Sequence, residues 1–273
     1  GQFGNINVTG TASLAGTLNV STGAGYTPVT GNQFQMINGG LVGGAFSTVH
    51  QTFPDALSTT VTIASVLLQF PGTAALNTWT DFTTDNDWTN ANNWSLAHVP
   101  FATEDVTLAA VGAPFIPGGT IQSVHSLNAS APLTIQSAAA LNIASSSSVN
   151  SNLTLAGTID FAQPSTVNGT LAITGGALQG AGSVTLTGPL NLSGGTVAMS
   201  GGLTVNGTTS VTGGVSTISG PLTANGALNI SGGTANFNAA STVAGALNLS
   251  GGALSGVGVV TVNGNGSQWT GGT

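Results

Sequence analysis

The chain has 273 residues, 42 of them glycine, with no lysine, arginine or cysteine and a formal net charge of −7 from seven carboxylates. Without a basic residue it has no cluster to grip nucleic acid or an anionic membrane, no phosphate clamp and no lysine Schiff base. Without cysteine it has neither disulfides nor thiolate metal sites, and its most apolar run, residues 61–70, is about half the length that a bilayer-crossing helix needs.

Residues 1–23, beginning GQFGNINVTGTASLAGTLNV, alternate apolar with small polar residues and read as one solenoid coil. No initiating methionine and no basic, apolar leader stand before them, which suggests a mature or excised piece. Residues 24–76 change rhythm. NQFQMING, GGAFSTVHQTF and TTVTIASVLLQF predict three strands joined by glycine-rich turns, a β-meander. Residues 77–119 change composition, gathering Trp79, Trp88 and Trp94 with Asp81, Asp85, Asp87, His98, Glu104 and Asp105. They are expected to form a compact aromatic insertion with its own core.

From about residue 120 the chain repeats. LNLSGG at 190–195 returns as LNISGG at 228–233 and unchanged at 247–252; a step of 19 also finds LAITGG at 171 and TSVTGG at 209. A second element keeps the same step, with threonine at Thr166, Thr185, Thr204, Thr223, Thr242 and Thr261 and glycine three residues after each. A third, looser element follows the double glycines, TVAM at 196, VSTI at 215 and TANF at 234, and its first copy, TIDF at 158, follows Ala156-Gly157. Three short strands and three turns fill 19 residues, a length that suits one coil of a β-solenoid and no common helical repeat. Residues 120–273 then make roughly eight coils, about 40 Å of stacked strands.

Alternation assigns the sides. Ile159, Leu178, Val197, Ser216, Ala235 and Leu254 form one inward file, and Phe161, Gly180, Met199, Ile218, Phe237 and Gly256 its neighbour. Leu171, Leu190, Leu228 and Leu247 fill a second face, with Thr209 as a polar interruption, while Asn191, Ser210, Asn229 and Asn248 lie outside. Asn168, Asn206, Asn225 and Asn263 recur at a turn, where amides can bond from coil to coil; Thr187 and Ala244 interrupt that file.

The order Trp79, Trp88, Asn93-Trp94, Val99-Pro100, Asp105-Val106 resembles a tryptophan-rich segment of large secreted bacterial surface proteins. The stretch GNQFQMINGGLVGGAFSTV is similar to a hairpin found beside the β-helical passengers of autotransporters, and the glycine-rich coil resembles the repeats of filamentous haemagglutinin-type adhesins. The resemblance implies a right-handed parallel β-helix and an extracellular place on a bacterial cell surface. The fold expected is therefore all-β: a parallel β-helix of 19-residue coils, with the meander and the tryptophan-rich insertion towards its N-terminal side.

Residues for chemistry are sparse. The repeats carry Asp160 as their only acid and His125 as their only imidazole, so no enzyme, catalytic residue or cofactor is expected. Asp85 and Asp87 in DFTTDND are weak calcium candidates, since the segment matches no complete calcium loop. His50, His98 and His125 lack metal-ligand spacing. Trp79, Trp88 and Trp94 are candidate glycan contacts, which would make the chain a carbohydrate-binding adhesin; the threonine column offers ice binding as a lesser alternative.

The favoured expectation is structural. No capping segment is visible at either terminus, and the nineteenth residue on from Val260 in a following copy would be Ile6, which sets INVTG where VTVNG should recur and Phe3 near the inward file. Copies would then continue one another head to tail, as tandem modules or as subunits of a fibre, filament, sheath or adhesin stalk. The partners expected are thus further copies and surface glycans, with neither nucleic acid nor membrane insertion.

Overall fold

The computed structural model describes residues 6–20, 33–44, 46, 48–51, 58–61, 65–69 and 74–273. Phe3, the side chain of His50 and the remaining parts of the 24–76 stretch lie outside the described residues. The chain divides into two units, residues 1–75 and 76–273.

In the first unit Ile6–Leu14, Gln33–Gly44, Ser65–Gln69 and Ser58–Val61 form a four-stranded sheet in that order. The last three pair antiparallel, as a meander should. Ile6–Leu14, however, lies parallel to Gln33–Gly44, with Ile6 opposite Ile37, and Thr17–Val20 lies parallel to Thr48–Gln51. The Ile6–Leu14 strand of the expected coil is thus stacked on the first strand of the meander, and of GGAFSTVHQTF the residues Thr48–Gln51 belong to that second parallel pair, while Gly43 and Gly44 end the meander strand. Gly44 has φ +81°, and an added Cβ would stand 2.3 Å from the Leu14 carbonyl oxygen, so only glycine lets the neighbouring corners approach. Leu14, Ile37 and Val42 form a small buried cluster.

The second unit is a parallel β-solenoid. One face is a ten-stranded sheet beginning with Leu76–Trp79 and Asp105–Leu108 and ending with Ser241–Val243 and Val260–Val262. The other two faces belong to a fifteen-stranded sheet, and two of its strands, Leu171–Gly180 and Leu190–Met199, run unbroken from one face to the next. The stack starts at Leu76 and not near 120. Residues 77–119, expected as a separate insertion, supply its first strands, and Trp79, Trp88 and Trp94 share one continuous core with the later coils as far as Leu249.

The threonine column is a single row across adjacent strands, from Thr166 opposite Thr185 to Thr242 opposite Thr261. It runs back through Ser148, Asn128 and Thr107 to Thr78, so nine of ten rungs present a hydroxyl outward. Its flanking residues point in, because successive side chains of a strand face opposite ways. Glycine in the adjoining column follows from crowding: a Cβ on Gly188, Gly226 or Gly264 would lie 2.2, 2.4 or 2.0 Å from the carbonyl oxygen of the glycine one coil below. The amide file also forms. Asn168 Nδ2 donates to Asn150 Oδ1 at 2.7 Å, Asn225 Nδ2 to Asn206 Oδ1 at 2.7 Å, and Thr187 substitutes its hydroxyl, donating to Asn168 Oδ1 at 3.3 Å.

One pair of files needs correction. Ile159, Leu178 and Val197 align as expected, but Val197 then faces Ile218, 21 residues on, and Gly195 faces Ser216, so Met199 is not opposite Ile218. The slip is confined to one coil, since Leu192 faces Val211 and Leu203 faces Leu222 at the usual 19. A two-residue slip preserves the side to which each residue points, whereas a one-residue slip would expel the core. Met199, Ile218 and Ser216 accordingly all stay buried.

Candidate functional site: the tryptophan loop

The loop after Trp79 is built by short-range polar chemistry. Asn90 caps a single 3-10 turn, Ala91–Asn93, its side chain accepting from Asn92 N at 3.1 Å. Asp85 accepts from Asn90 Nδ2 at 2.7 Å, from Asn93 Nδ2 at 2.6 Å and from the Asp87 backbone N–H at 3.0 Å. Those donors, Asn90 foremost, hold the Asp85 carboxyl well below the usual carboxylate range. Asp87 Oδ1 in turn accepts from the backbone and hydroxyl of Thr89. Asp81, Thr84 and Asn86 adopt left-handed backbone with φ of 50° to 58°, a conformation asparagine and aspartate tolerate and threonine resists.

This frame turns the tryptophans inward. Trp79, Trp88 and Trp94 are 1%, 0% and 3% exposed. Trp94 meets Trp88 and Trp79 edge-on, with ring centroids 4.7 and 5.1 Å apart, and its Nε1 donates to the Trp88 carbonyl at 2.7 Å. Rings buried on all sides offer no face to a sugar, so the three residues read as glycan contacts are core instead. Of the two calcium candidates, Asp85 spends both oxygens on loop donors and Asp87 its Oδ1, and among the described residues no three acids or histidines converge. Phe82 and Phe101, unremarked in sequence, are the exposed aromatics of the loop at 81% and 60%.

The loop also occupies strand edges. Trp94 forms an antiparallel bridge with Trp79, on the side of that strand away from Asp105–Leu108. Thr80 N donates to Asn93 O at 2.8 Å and Ser95 N to Thr78 O at 2.9 Å. Asp87 bridges Phe115, where Trp88 N donates to Phe115 O at 3.0 Å and Phe115 N to Asn86 O at 2.9 Å. The first strands of two faces are therefore satisfied by one loop. This unit has a cap where the sequence showed none.

Sequence reading also missed two histidine–carboxylate pairs. His98 Nε2 lies 3.3 Å from Oε1 of the buried Glu104, whose Oε2 accepts from Asn77 Nδ2 and the Phe101 N–H, each at 3.1 Å. His125 Nδ1 lies 2.7 Å from Asp105 Oδ1, which also accepts from Ser126. The stacking supplies the second pair, because Ser126 sits opposite Asp105 in the ladder and carries His125 with it. A strict count of 19 from Asp105 stops at Val124, which is why the pair was not legible.

Comparison of the chain with protein-family models, curated proteins and solved structures finds no match.

Proposed function

We propose that this chain is a structural extracellular module that builds a fibre, sheath or adhesin stalk by continuing the β-solenoid from copy to copy. The observation that carries the reading is the uninterrupted parallel ladder of ten rungs around one core, about 43 Å long at about 4.8 Å per rung. Backbone pairing and stacked apolar files stabilise such a rod without lysine or arginine, and a chain that lacks both offers trypsin no cleavage site. The family resemblance supports a bacterial surface as its place. Because the tryptophan loop occupies the edges of the first strands, a following copy is received at the rung of Val260–Val262 and contributes its Ile6–Leu14 segment. Electron microscopy of concentrated protein tests this directly. Rods that lengthen by whole copies support it, and particles that stay monomeric at every concentration reject self-assembly.

A second reading, ice binding, is favoured by the outward hydroxyl file, nine residues in ten rungs. Thermal hysteresis lost on replacing Thr185 and Thr204 with bulky residues would establish it; no hysteresis removes it.

A further inference from the structure

Five asparagine–glycine pairs lie at turns of the second unit: 168–169, 206–207, 225–226, 263–264 and 265–266. In such a pair nothing on the glycine shields its backbone nitrogen, which can attack the asparagine side-chain carbonyl when the turn is free to bring them together. The stack withholds that freedom from the middle coils. Asn206 and Asn225 share a 2.7 Å amide bond, and their backbone N–H groups donate to Leu186 O and Val205 O at 2.8 Å each. A Cβ on Gly207 or Gly226 would collide at 2.5 or 2.4 Å with the coil below. Asn168 is bonded to Asn150 and Thr187.

Asn265 and Gly266 are placed differently. Val243 faces Val262 at a step of 19, yet Asn248 faces Gln268 at a step of 20, so this coil holds an added residue between Val262 and Gln268. The surplus is accommodated as an exposed excursion. Gly266 has φ +79° with nothing within 4 Å of an added Cβ, and the amide of Asn265 bonds to no described residue.

We infer that Asn265–Gly266 is a self-modifying site at which the chain deamidates through a cyclic imide. The Gly266 nitrogen bonds to Asn265 Cγ, the Cγ–Nδ2 bond breaks, and ammonia leaves with the proton lost from the backbone nitrogen. Water then opens the ring at either carbonyl, giving aspartate or its isoaspartyl isomer. Both products add a carboxylate to a chain with no lysine or arginine to pair it, and the isoaspartyl one also adds one carbon to the backbone of a turn.

The test is incubation of the full chain at mildly alkaline pH, with digestion by chymotrypsin and peptide mass mapping. In folded protein Asn265 converts severalfold faster than Asn206 and Asn225, in denaturant the three rates converge, and Gly266→Ala slows conversion at Asn265. Equal rates in the folded chain, conversion at Asn263 with Asn265 intact, or indifference to Gly266→Ala each overturn the assignment.

Discussion

Thr209 and Ser216 show how strictly single positions are held. Both hydroxyls are buried without a hydrogen-bond partner, and both lie in one coil, in files otherwise filled by apolar or small residues. Inward Ser165 and Ser241 escape that cost by donating to the carbonyls of Gln163 and Ala239 two residues back. Thr209→Val, which keeps the shape and removes an unsatisfied hydroxyl, should therefore stabilise the protein by about 1–2 kcal/mol in urea unfolding. The opposite outcome is expected at Gly226, where alanine must displace stacked backbone; Gly226→Ala should cost on the order of 1–3 kcal/mol. Asp85 gives a pH dependence of definite sign. Its folded-state carboxyl is lowered from the usual 3.8, so the support it gives the loop is complete at higher pH and disappears as pH falls below that value. Asp85→Asn should abolish this acid-sensitive component, monitored by tryptophan fluorescence.

The tryptophan loop acts as an element, not as a set of ligands. It joins two faces by bridges at Trp94 and Asp87, so loss of its core should be felt at both edges. Trp88→Ala should cost about 3–5 kcal/mol and speed amide exchange at Leu76–Trp79 and Phe115–Ile116 before the later coils respond. This element was the least legible. Repeat recognition needs a constant step, and 25 residues separate Trp79 from Asp105, while Asn128 to Ser148 and Ser148 to Thr166 are 20 and 18 apart. The coils from Thr166 onward were legible because Thr and Gly recur at one step and each recurrence has a local cause, an outward strand position or a turn too crowded for a side chain. The slip at Val197 was hidden because two residues gained on one face are returned on the next. The tryptophans misled because composition signals an aromatic cluster without saying whether water reaches it.

At the scale of the molecule, the cap and the ladder make the second unit directional: an antiparallel bridge covers the edge of Leu76–Trp79, a parallel one that of Phe115–Ile116, and parallel pairing continues from there to Val260–Val262. A ladder of this kind requires each 19-residue window to be one rung directly above the last. The absence of cysteine allows that to be measured with introduced pairs on an empty background. Adjacent rungs place Thr185 and Thr204 about 4.8 Å apart, within the span a disulfide bridges, whereas Thr185 and Thr223 are two rungs, about 9.6 Å, apart. Oxidation of the Thr185→Cys/Thr204→Cys variant should give an intramolecular disulfide, and the Thr185→Cys/Thr223→Cys variant none. Failure of the first pair to close, or equal closure of both, would contradict the ladder.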